Sequence, residues 1–145
     1  MTAGFPTDAA IDRIGRGLCD TSLPKAEWTH AAHFAAALWL LRHRPGGRAE
    51  ADMPALIRAY NEATGVANSD SGGYHHSITI ASLHVAKRTL HRHPADTPLH
   101  VAHAELIAGR AGDRDWLLDH WTRDCLFGVA ARRGWVPPDL HPLPA

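Results

Sequence analysis

Between Phe34 and Leu41 the chain reads Phe-Ala-Ala-Ala-Leu-Trp-Leu-Leu, with no polar residue in any turn. A helix that is apolar on every side has no face to offer water and must be packed round by other elements. Thr29 is suited to cap such a helix, which runs from His30 to about His43, and Pro45-Gly46-Gly47 stops it. The fold is therefore expected to be built around this segment.

Further helices are legible on either side. Thr7 or Asp8 caps a first helix that carries Ile11, Ile14 and Leu18 and ends near Cys19. Leu23-Pro24 then reads as extended, because the residue before proline avoids helical geometry. A third helix is placed from Asp52 to Ala63, so that Pro54 falls in its first turn, with Leu56, Ile57 and Tyr60 on its buried side. The polar stretch Asn68-Ser69-Asp70-Ser71-Gly72-Gly73 reads as a loop, followed by a helix from about Tyr74 to Leu90. Thr97-Pro98 signals a helix to about Gly109, and Asp113 to Phe127 is read as one more, with Trp116, Leu117 and Trp121 inside it. The proline-rich stretch from Trp135 to Pro144 is expected to run extended across the surface. No segment alternates with the period of a strand. The reading is one domain spanning residues 1–145, a compact all-α bundle of about five or six helices.

Composition narrows the function. Lysine plus arginine and aspartate plus glutamate both number 15, which removes the basic excess that a nucleic-acid binder needs. There is no polybasic patch for anionic lipid, and Phe34 to Leu41 is too short to span a bilayer. The stretch from Met1 to Ala10 lacks the basic start and apolar run of a signal peptide, and Cys19 and Cys125 make no disulfide framework. A cytoplasmic protein with a small-molecule ligand or substrate, and with neither nucleic acid nor membrane as partner, is the expectation.

The unusual figure is 12 histidines, well above what an ordinary chain of this length carries. His30 and His33 stand three apart at a helix start, where both rings project from one face. The positive end of the helix dipole there disfavours imidazolium and keeps the rings free to ligate. The plainer alternative has one ring in the core and the other bonded to a loop. His75 and His76 open another helix, but adjacent helical residues diverge by roughly 100° and do not readily share an ion. Glu27 with His30 makes a single Glu-x-x-His, too little for a di-iron centre. His100 and His103 repeat the three-residue spacing but are expected at the surface, and His84, Lys87, Arg88 and His91 read as a solvated stripe. Cys125 is expected to be packed rather than reactive.

Leu23-Pro24, Trp28-Thr29-His30-Ala31-Ala32-His33, Tyr60-Asn61, Asn68-Ser69-Asp70 and Gly73-Tyr74-His75 together resemble a family of small bacterial helical proteins of unknown function. That family shares a Trp-Thr-His-x-Ala-His segment, a later Asn-Ser-Asp/Thr stretch and a Gly-Tyr-His-Glu segment. The resemblance covers residues 23–80, with a weaker echo in Ala131 to Trp135 and Pro138 to Leu140. His76 and Ser77 stand where the family pattern has Glu and Thr, so any role of that acid would fall to His76.

The expectation carried forward is a metal-dependent enzyme of hydrolase or lyase type. His30, His33 and His75 would hold a divalent ion, zinc first, with iron, nickel or copper suited to a looser site. His76, Asp70 and Tyr74 would be its catalytic groups, and Asn68 and Trp28 would position the substrate. The rival expectations are a non-catalytic small-ligand or metal-binding module, and a structural or interaction protein with pH-responsive histidines.

Overall fold

The computed structural model describes residues 5–145. The first four residues, part of the stretch read as lacking a signal peptide, lie outside the described residues. Seven α-helices and no strands are present among the described residues: α1 (Asp8–Cys19), α2 (His30–His43), α3 (Arg48–Ala63), α4 (His76–His91), α5 (Leu99–Ala108), α6 (Arg123–Leu126) and α7 (Val129–Arg133). None of them is long and apolar enough to cross a membrane.

The apolar helix is enclosed as its sequence demands. Every residue of α2 from Phe34 to Leu40 is buried, and α1, α3, α4 and α5 all pack against it. Alpha-1 comes closest, because Gly15 lies directly against the Trp39 indole. The Trp39 Nε1–H donates to Asp12 Oδ1 at 3.0 Å, so this buried ring still satisfies its polar atom. On the other flank of α1, the Tyr60 hydroxyl donates to the Leu23 carbonyl at 2.8 Å and clips the extended Leu23-Pro24 segment to α3.

Four sequence expectations change. Alpha-3 starts at Arg48, a full turn early, so Pro54 sits inside it rather than in the first turn. The missing proline N–H forfeits one helical bond, and the burial of Ala49, Met53, Ile57 and Tyr60 offsets the loss. Alpha-4 starts at His76, with His75 as its cap. Alpha-5 takes no cap from Thr97; instead Asp8 of α1 reaches across and accepts from the His100 N–H at 2.9 Å.

The fourth change is the largest. The single helix read from Asp113 to Phe127 is a 3-10 turn at Trp116–Asp119 followed by α6, and α7 begins beyond it. The following segment breaks it up. Val136 O accepts from the fully buried Trp121 Nε1–H at 3.0 Å, and Asp139 accepts from both the N–H and the hydroxyl of Thr122. Thr122 in turn caps α6. Residues 135–145 form no helix, and Ser77 of α4 holds their start by donating to Gly134 O and accepting from Val136 N–H.

The Gly15–Trp39 contact gives a direct test. A Cβ at position 15 would lie 2.2 Å from Trp39 Cδ2, so the ring or the helix must move. Gly15→Ala is expected to cost about 1–3 kcal/mol in urea denaturation, despite alanine's better helix propensity. A neutral or stabilising result would refute this packing.

Candidate functional site

Trp28 and the first turn of α2 form the middle of a two-lobed cleft. Thr29 caps α2 by accepting from Ala32 N–H at 3.2 Å, which fixes the turn that carries His30 and His33. The His33 ring lies on Trp28 with centroids 3.9 Å apart. One lobe, of about 420 Å³, runs from this stack towards Phe34, Trp116, Leu126 and the arginines Arg114 and Arg123. The other, of about 400 Å³, runs towards Met53, Ile57, Asn61 and Tyr74. Trp28, His33, Ile78 and Ser82 line both.

His33 is the chemically distinctive group. Neither ring nitrogen bonds a protein atom among the described residues, unlike those of its neighbours. The residue is half-buried by surface exposure, and protein atoms crowd the ring. Burial pushes its pKa down from 6.5 to about 4, helped by the charges of His30 and Arg114. At neutral pH it is an uncharged donor and acceptor facing a mostly apolar cleft.

The other expected metal ligands are engaged elsewhere. His30 shares the first lobe with His33, but its Nε2–H donates to Ala111 O at 2.7 Å. His75 has both nitrogens in use: Nδ1 accepts from Ile78 N–H at 3.2 Å as the cap of α4, and Nε2–H donates to Leu126 O at 2.6 Å. Burial lowers its pKa, which fits a ring that must stay neutral to hold both bonds. Among the described residues no three histidine, cysteine or acidic side chains gather where one ion could sit. Glu27 is ion-paired with Arg13.

The expected catalytic and positioning residues are dispersed. His76 Nδ1 accepts from the Tyr74 hydroxyl at 2.8 Å, and burial, then the Arg58 charge, lowers its pKa. Asp70 lies in a separate polar cavity of about 350 Å³, paired bidentately with Arg133 at 2.8 and 2.7 Å. Asn68 staples its own loop: Oδ1 accepts from Asn61 Nδ2 and Tyr74 N–H, both at 3.0 Å, and Nδ2 donates to Arg58 O at 3.1 Å. Gly73 closes that loop at a φ of +76°, and a Cβ there would meet Ala67 O at 2.4 Å. The Asn68 to Tyr74 motif is thus a loop-building unit. Of the expected set, Trp28, His30 and His33 meet in one lobe and Trp28, His33, Tyr74 and His75 in the other, while Asn68 and Asp70 line the separate polar cavity.

Sequence reasoning missed Arg114, Trp116, Arg123 and Ser82 as cleft residues, since the three from 114 to 123 were placed on a helix that does not form. It also misplaced His103, which is buried and donates to Ala31 O at 2.9 Å, although His100 does stand at the surface paired with Asp8. Both cysteines are free and partly buried, and burial pushes both thiols up. No known protein family, curated protein or solved structure matches the chain.

Two outcomes are expected. His75→Ala should lose about 1–3 kcal/mol, because it uncaps α4 and orphans the Leu126 carbonyl, and His75→Ser should recover part by restoring the cap. Equal stability of all three proteins in denaturant titrations would contradict the double role. His33 has a native pKa below its unfolded value, so its contribution is complete above pH 6.5 and is lost as pH falls towards about 4. Its ring resonances should not titrate between pH 7.5 and about 5; a midpoint near 6.5 would contradict the buried, neutral state.

Proposed function

We propose that this protein is a small-molecule-binding module whose ligand occupies the cleft divided by Trp28 and His33. The observation that carries this is the neutral imidazole of His33, unpartnered among the described residues, in the shared wall of two mostly apolar lobes, each of ordinary ligand-pocket size. A ring so placed can orient a ligand by one hydrogen bond, and the Trp28 indole supplies a flat apolar surface beside it.

The same ring is poorly matched to acid–base work. A base is most effective when its pKa lies near the working pH, and His33 is held at about 4. This favours binding over the hydrolase or lyase reading. The metal-dependent version, with His30, His33 and His75 around zinc or a related ion, would need His75 to surrender both its cap bond and its bond to Leu126 O.

Indole, a neutral flat molecule, is the probe of choice. It is expected to shift the amide resonances of Trp28, His33, Ile78 and Ser82, and Ser82→Trp, which fills the junction of the lobes, should abolish those shifts without unfolding the protein. Shifts confined to other surfaces, or unchanged in Ser82→Trp, would remove the basis for the cleft. Metal analysis of untagged protein is expected to give well under one ion per chain. A full equivalent that His33→Ala releases would establish the metal reading instead.

A further inference from the structure

Resting on that reading, we infer that the ligand is an organic anion: a flat apolar body with one carboxylate or similar acid group, the acid directed at Arg114 and Arg123. The distribution of charge around the first lobe carries the argument. Arg110 gathers the acids of its segment onto one guanidinium, pairing with Asp113, Asp115 and Asp119 at 2.7–3.0 Å. Asp115 lines the lobe, yet its carboxylate is already taken by Arg110. Arg114 and Arg123 line the same lobe and form no ion pair among the described residues. The walls are mostly apolar, with Phe34, Ile78, Leu117 and Leu126 among them, and the polar groups Thr29, His30, His33 and Ser82 carry no carboxylate. Two unneutralised guanidiniums at the rim of an apolar cavity match an amphipathic acid better than a neutral or cationic ligand.

A carboxylate is also the side group richest in acceptor sites, which suits it to two guanidiniums at once. The uncharged His33 adds a contact to the ligand's body without competing for the anion.

The test compares indole-3-acetate with indole-3-acetamide, which share shape and differ in charge, by amide-resonance titration of the full chain. The acid is expected to bind at least about fivefold more tightly, as hydrogen bonds to a charged group outweigh neutral ones. The double variant Arg114→Ala/Arg123→Ala should erase that preference and leave amide binding unchanged; both side chains are exposed, so the fold should be retained. Acid and amide binding equally well in the cleft would overturn the anion assignment and leave the cleft standing. A preference that survives in the double variant would overturn the role of these arginines. No cleft shifts with either compound, or with indole, would overturn both readings together.

Discussion

An α-helix without a polar face must be enclosed on every side, and α2 imposes that condition on the rest of this chain. Four helices pack against it, and the closest approach is possible only because Gly15 leaves room for the Trp39 ring. At the N-terminal turn enclosure fails, and there Thr29 ends the extended segment and His30 and His33 emerge beside Trp28. The cleft lies at that end. It is where the surrounding elements give way to short helices and loops that do not close over the central one.

Several histidines join segments of the chain. Chain ends and brief helices leave backbone carbonyls without partners, and a neutral imidazole supplies one N–H at modest length. His30 bonds Ala111 O, His75 bonds Leu126 O, His103 bonds Ala31 O, and His120 bonds the carbonyls of His141 and Pro142. Each joins segments far apart in sequence. Among the described residues His33 has no such bond, and it lines both lobes of the cleft.

Within the helices, sequence pattern served well. Thr7 and Thr29 cap the helices where their hydroxyls predict, and the apolar positions of α1 and α2 form the core. It failed where a distant segment decides the local conformation. Trp116 and Trp121 have helical spacing, but hydrogen bonds from Val136 and Asp139 break that stretch into turns. The Asn68 to Tyr74 motif has a local structural role, with a left-handed glycine and an asparagine that binds its own loop.

By itself the sequence determined the all-helical class and the central place of the Phe34 to Leu41 segment. Helical periodicity and capping act over a few residues, so they are written locally. Only the tertiary structure decided that neither His33 ring nitrogen is bonded among the described residues, that Asp70 lies in another cavity, that His75 spends both ring nitrogens although it shares a lobe with His33, and that Arg114, Trp116 and Arg123 line the cleft. Those outcomes depend on carbonyls and carboxylates supplied from elsewhere in the chain, and no spacing along the sequence records which partner a side chain will meet.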